Sequence, residues 1–303
     1  MNRKIAESKK SRASQAQDPS LRDVIRPTQS VELLKELHIL TRDGKLNQDS
    51  RRKLKQVYHL FQFLEKMLQE LSPDAASAFT LADHGAGKSY LGFILYDLYF
   101  RDRPQSHIYG VETRVELVDK AQALASRLNF DRMSFVNLSV ADSVHSNLLP
   151  ERIDVVTALH ACDTATDDAI EFGLQKHARA FALVPCCQAE LARHLNAGKA
   201  LSLTRTPLAE LWRHPLHTRE LGSQITNVLR CLYLEACGYQ VSVTELVGWE
   251  HSMKNELVLA RYTGQRKRAS AQRLRAILEE FGLQELLPTR FARLQPVAPE
   301  LQT

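Results

Sequence analysis

From Asp49 onward the chain switches between two periodicities. Leu54, Val57, Leu60, Phe61, Leu64, Leu68 and Leu71 recur every three or four residues. That spacing predicts one apolar stripe on a long helix, ended by Ser72-Pro73. Short apolar runs follow: Ala78 to Ala82 closing on Asp83, His107 to Val111 closing on Glu112, Met133 to Val136, Ile153 to Leu159, and Ala180 to Val184 ending at Pro185. Helical patterns fall between them, at Tyr90 to Phe100, Val115 to Leu128 and about Asp167 to His177. Strand–helix alternation predicts an α/β fold with a parallel sheet covered on both faces. Residues 189–216 then read as helical pieces broken by Gly198, Pro207 and Pro215, and a long helix runs from about Arg219 to Ala236, stopping at Gly238 where a C-cap glycine belongs. Tyr239 to Val247 and Glu256 to Tyr262 are joined by a segment too short for a crossover helix, so they should pair antiparallel. The expectation is a mostly parallel seven-stranded sheet with a terminal antiparallel hairpin.

These elements suggest three regions. Residues 1–48 form a polar N-terminal extension, disordered over about 1–25 and with a short helix around Val31 to Leu40. Residues 49–265 form the main domain. Residues 266–303 hold a last amphipathic helix, Ala269 to Phe281, and a tail. The 303 residues are 44% hydrophobic and 25% charged, an ordinary soluble composition. The sequence shows no apolar run of about 18 residues and no secretory signal, so a cytoplasmic protein with no membrane partner is expected. The five cysteines are odd in number and lack C-x-x-C spacing. That argues against a disulfide framework and a structural metal. The net charge of +5 is mild, yet basic residues cluster at Lys9, Lys10 and Arg12, at Arg51, Arg52, Lys53 and Lys55, and at Arg266, Lys267 and Arg268. Such clusters suit a polyanion such as RNA.

The candidate chemistry begins at LADHGAGKSYL, Leu81 to Leu91. Gly87-Lys88-Ser89 is the tail of a phosphate-binding P-loop, but that motif needs glycine where Ala82 stands. The same letters also read Asp83-x-Gly85-x-Gly87, a turn that lets a ligand approach the backbone. Glu112 follows the second strand and can accept hydrogen bonds from ribose hydroxyls. Ala141-Asp142-Ser143 follows the third, where a carboxylate can meet the exocyclic amine of adenine. Three acidic strand ends favour a neutral or cationic adenosine ligand and would repel a triphosphate. A dinucleotide fingerprint fails because its third glycine falls at Tyr90.

Together LADHGAGKSYLGFIL, IYGVE, ALHACDTATDDAI and LVPCCQ resemble the class I, Rossmann-like S-adenosylmethionine (SAM)-dependent methyltransferases. They look like the family typified by the methyltransferase domain of glutathione S-transferase C-terminal-domain-containing proteins and related bacterial enzymes, over roughly residues 50–263. The chain is also similar to tRNA 2′-O-methyltransferases with a His-x-Cys-Gly-x-Ala-Thr-Asp block and a later Cys-Cys. His160, Cys162, Ala165, Thr166, Asp167, Cys186 and Cys187 match that pattern, and Asp163 stands where that family has glycine. The resemblance implies SAM as cofactor, held by Asp83, Gly85, Gly87, Glu112 and Asp142.

The loop from His160 to Asp167 should flank the transferring methyl, with His160 also beside the cofactor. His160 or Asp163 is a candidate base, while Thr166 and Asp167 read more simply as an N-cap. Cys162 and Cys187 follow two successive strands, where a thiolate would be a candidate nucleophile; packing beside the cofactor is the plainer reading. Arg213, His214, His217, Arg219 and Glu220, and later His251, Lys254 and Asn255, are candidate acceptor contacts. The reading is a SAM-dependent methyltransferase acting on RNA, tRNA or rRNA. The alternatives are a small-molecule or protein methyltransferase, a P-loop nucleotide-binding protein, and a non-catalytic SAM- or RNA-binding module.

Overall fold

The structure, a computed structural model, describes residues 24–72, 74–159, 161, 163–185, 189–197, 207–246 and 256–294. Most of the segment expected to be disordered therefore lies outside the described residues.

The elements are α1 (Val31–Glu36), α2 (Gln48–Leu71), β1 (Phe79–His84), α3 (Tyr90–Leu95), β2 (Ser106–Glu112), α4 (Val115–Arg127), β3 (Met133–Asn137), α5 (Val140–Ser143), β4 (Val155–Leu159), α6 (Ala165–Gln175), β5 (Ala180–Val184), α7 (Glu190–Asn196), α8 (Pro215–Ala236), β6 (Tyr239–Glu245), β7 (Glu256–Tyr262), α9 (Arg268–Glu280) and α10 (Leu286–Arg290). The seven strands form one sheet in the order β3-β2-β1-β4-β5-β7-β6. β1 to β5 pair in parallel, and β7 runs antiparallel to both β5 and β6. The expected α/β sheet with its terminal hairpin is what forms.

One apolar layer joins α1 to α4 to the sheet, and a second joins α6 to α9 to the opposite face. The stripe read on α2 is buried at every position, with Met67 added. Asn47 caps that helix, accepting from the Ser50 amide at 2.7 Å, which satisfies one of the orphan donors of the first turn. Two of the boundaries that differ from the sequence expectation bear on the site and its flank. β1 continues to His84, so Asp83 is a strand residue. α8 starts at Pro215, which the sequence reading took as a break; proline suits the first turn of a helix because no intrahelical donor is needed there.

After Leu95 the helix widens into a π-turn, Tyr96–Phe100. It presents the buried Asp97 to the N-terminal segment, where the Ser30 amide donates to it at 2.8 Å. Arg26 adds a forked ion pair to Glu65 at 3.1 and 3.2 Å and stacks its guanidinium 4.7 Å from the Phe61 ring centre. The chain before α2 is thus packed along α2.

Leu64 lies at the centre of the α2 stripe and is 1% exposed. Leu64→Ala should lower stability by about 2–5 kcal/mol, the cost of a buried cavity, as read from the midpoint of denaturant unfolding. A loss under about 1 kcal/mol would mean that α2 is not part of the core.

Candidate functional site

The strand order reverses between β1 and β4, and open α/β sheets bind ligands in the crevice at such a reversal. Asp83 sits on that seam, in register with Gly110 of β2 and Thr157 of β4. It is 2% exposed, and the Thr157 hydroxyl donates to it at 2.7 Å. Strand alternation turns the next side chain to the other face. His84 is fully buried there, with its ring edge-on to Phe172 at 4.3 Å and neither ring nitrogen hydrogen-bonded. Burial disfavours the charged form of both groups. It raises Asp83 to about 7, against the lowering effect of the Thr157 hydroxyl and the Gly92 amide, and it drives His84 down to about 3. At neutral pH His84 is neutral, while the Asp83 carboxyl is shifted up toward neutrality.

The turn after β1 adopts left-handed backbone at Gly85 (φ 62°) and Gly87 (φ 58°), which glycine reaches without strain. A Cβ on Gly85 would lie 3.5 Å from Ala161, so this turn passes close to the loop after β4. Ser89 is also left-handed, φ 52°, an uncommon conformation for a residue with a side chain. Its hydroxyl is buried without a hydrogen-bond partner, whereas Lys88 is exposed.

Glu112 closes the turn from the next strand. The Gly87 amide donates to it at 2.7 Å, and Arg114 adds its own amide at 3.1 Å and its Nε at 3.0 Å. Burial alone would raise the Glu112 carboxyl, but these donors hold it below the usual range. The structure therefore brings Asp83, Gly85, Gly87 and Glu112 together. Asp142 lies at the end of β3 in α5. Ser139 caps that helix by accepting from the Asp142 amide at 3.0 Å, and the Ser139 hydroxyl donates to the Asp142 carboxylate at 2.5 Å. Asp142 itself is exposed.

Between α2 and α3 a cavity of about 400 Å³ opens over Asp83, lined also by Ala86, Tyr90, Leu159, Leu60 and, from α2, Lys53. A larger groove, about 620 Å³, runs between α2 and β6–β7 and includes none of the strand-end residues. The smaller cavity is the relevant one because it contains the buried carboxylate at the strand reversal.

On the acceptor side, Asp163 has left-handed backbone, φ 52°. Its carboxylate accepts from the amides of Ala189 and Glu190, each at 2.9 Å, and from Arg193 at 3.1 Å. Burial would raise its pKa, but these donors hold it low. α6 starts at Ala165 with Thr164 as its N-cap residue, so Thr166 and Asp167 have other roles. The Thr166 hydroxyl donates to the Ala161 carbonyl at 2.7 Å, and Asp167 pairs with Arg230. That arginine lies 63 residues away on a helix face that also buries Asn227 and Tyr233, and no local pattern marks it.

Arg213, His214, His217, Arg219 and Glu220 lie just before α8 and in its first turns, where Arg213 pairs with Glu210 and Arg219 with Glu220. His160, Cys162, Cys186, Cys187, His251, Lys254 and Asn255 lie outside the described residues. Burial pushes the two described cysteines up, Cys231 to about 12 and Cys237 to about 11, so neither is a thiolate at neutral pH. Among the described residues no cluster could hold a metal ion, and no helix is long and apolar enough to cross a membrane.

Residues 52–194 match a family model described as a methyltransferase domain, a span that runs from α2 into α7. No protein of curated function matches the chain. Among solved structures, the chain is similar to magnesium protoporphyrin IX methyltransferase from Synechocystis PCC 6803, with 12% identity, 77% of this chain and 93% of that one covered, and a TM-score of 0.41. It is similar to an rRNA methylase from Streptococcus thermophilus, with 11% identity, coverage of 66% and 95%, and a TM-score of 0.39. It is also similar to fibrillarin from Aeropyrum pernix, with 12% identity, coverage of 61% and 67%, and a TM-score of 0.36. Residues 52–194 thus match a methyltransferase domain, and the sheet order and the Gly-rich turn at the strand reversal agree with that match.

Proposed function

We propose that the chain methylates RNA, with SAM held across the ends of β1, β2 and β3. The observation that carries the acceptor class is the mouth of the Asp83 cavity. Lys53 lines it, paired with Asp49 at 2.8 Å, and the first turns of the same helix also carry Arg51, Arg52 and Lys55 outside the cavity lining. A cationic helix end at the rim of a methyl-transfer cavity suits a phosphate backbone. The similarity of the 160–167 and 186–187 blocks to tRNA 2′-O-methyltransferases points the same way.

The residues present fit the cofactor. A buried, part-ionised Asp83 and an orphan Ser89 hydroxyl suit a cationic ligand with hydrogen-bonding groups. Gly85 and Gly87 allow close backbone approach, Asp142 is the candidate partner of the adenine amine, and Glu112 that of the ribose. Glu112 is already crowded by donors, so ribose hydroxyls reach it by displacing the Arg114 side chain, which is 59% exposed and costs little to move. SAM supplies an electrophilic methyl group on a sulfonium. The protein aligns the acceptor and takes its proton where one must leave. His160 is the preferred base. Asp163 is better suited as a clamp, because its carboxylate is occupied by amides and Arg193 and stays ionised. Cys162 and Cys187 remain candidates for covalent attack on a pyrimidine ring; a paired Cys162→Ala and Cys187→Ala variant that keeps full turnover removes that role.

Three outcomes test this reading. Labelled SAM incubated with total RNA and total protein from cells lacking the enzyme should label the RNA; label in protein and not RNA would overturn the acceptor class. Arg51→Glu with Lys55→Glu should weaken RNA binding and reduce the slope of log affinity against log salt by roughly 1–2, with SAM affinity unchanged; an unchanged slope places the RNA elsewhere. The third outcome concerns Asp83. Its folded pKa is raised to about 7, so the ligand-free protein gains stability from Asp83 below the unfolded carboxyl pKa and loses it as pH rises through about 7. Asp83→Asn should remove that loss and leave the ligand-free protein more stable than wild type at pH 8 in thermal unfolding. Wild-type SAM affinity should rise with pH up to about 7 and then level, and the Asn variant should bind more weakly without that dependence. Equal affinity and equal pH profiles would remove Asp83 from the cofactor site.

A further inference from the structure

Arg230 is among the largest fully buried side chains of the described residues and is 2% exposed. It lies on α8, on the face turned to the sheet. A guanidinium in such a place needs acceptors for its donors. Nε and Nη2 donate to the two oxygens of Asp167 at 2.8 and 2.5 Å, Nη2 also to the Asp163 carbonyl at 2.9 Å, and Nη1 to the Asn227 side-chain oxygen at 3.3 Å. Asn227 in turn donates to Glu256, the first residue of β7, at 2.7 Å. Stability alone does not call for this set, because well-packed apolar side chains of similar volume commonly serve as well as a buried ion pair. What the ions add is fixed geometry.

That geometry converges on one residue of the loop after β4. Asp163 holds a left-handed backbone that a non-glycine residue keeps only with support. Arg230 grips its carbonyl from behind, while its carboxylate caps the start of α7. From α10, Arg290 forks onto Glu190 at 2.9 and 2.8 Å and lies 3.7 Å from Asp168, fastening the starts of α6 and α7 together. The loops leaving β4 and β5 are thus bound to each other and to α8.

We propose that Arg230 is a positioning residue for methyl transfer, setting the loop after β4 relative to α7 through the Asp163 carbonyl. This rests on the cleft being the methyl-transfer site. Arg230→Met leaves Asp167 buried without its cation, so lowered stability is expected and by itself means little. The paired variant Arg230→Met with Asp167→Asn removes both charges, should recover most of that stability, and still lacks the bond to the Asp163 carbonyl. In it, hydrogen exchange at the Ala189 and Glu190 amides should speed at least tenfold. Methyl transfer from labelled SAM to total RNA should fall at least tenfold in kcat, with the dissociation constant for SAM within twofold of wild type. Arg230→Lys, which keeps the charge but not the planar fork, should fall between wild type and the pair. Wild-type exchange at these amides, or kcat within twofold of wild type in the folded paired variant, would overturn the role. A wild-type protein that neither binds SAM nor transfers label would instead sink the methyltransferase reading, and the exchange result would still report on the coupling.

Discussion

The hydrogen bond from Thr157 to Asp83 joins the two strands between which the sheet changes direction. A carboxylate there is expensive to bury, and one hydroxyl and the Gly92 amide do not offset the desolvation, so its pKa climbs to about 7. Replacing it by an apolar residue would relieve the fold. Keeping it leaves a buried carboxyl whose charged form is disfavoured by desolvation. The crevice that every sheet of this order possesses is thereby given a charge preference, and the rest of the site is arranged around that group.

Glu112 stands one strand away and is treated in the opposite manner. Its donors are already in place, and its carboxyl is held low. The two carboxylates therefore divide the work. Glu112 shapes the Gly85–Gly87 turn by holding the Gly87 amide, and Asp83 leaves part of its charge uncompensated. Lys88, which would hold phosphate in a P-loop, is exposed and turned to solvent. The same glycines here sit beside two buried acids, Asp83 and Glu112.

What could be read in the sequence follows from what a local pattern encodes. The α2 stripe, the strands and the antiparallel hairpin are written in periods of 3.6 and 2 and in connection lengths, so their places were legible to within a few residues. The strand-end acids were legible because the sheet order fixes where strand ends meet. The Arg230 network was not, since it joins residues 63 and 67 apart and an arginine on an amphipathic helix reads as solvent-facing. The π-turn was equally silent: its purpose is to offer Asp97 to Ser30, a contact across 67 residues. Asp163 was read by its chemistry as a base, because the amides that occupy it belong to a helix start 26 residues later.

These long-range polar ties explain why the acceptor side is built differently from the cofactor side. Around Asp83 and Gly85 the backbone itself sets the geometry, through strand register and two left-handed glycines. Beyond β4 and β5 no strand register extends, and the sheet cannot hold the loops. Arginines from α7, α8 and α10 take over that task, each gripping a carboxylate or carbonyl at a helix start. Arg230 is buried, so salt screens its pair weakly. Arg193, 64% exposed in its side chain, is the adjustable member, screened and cheap to release. Asp163 is thus held firmly from behind by a buried arginine and loosely in front by an exposed one.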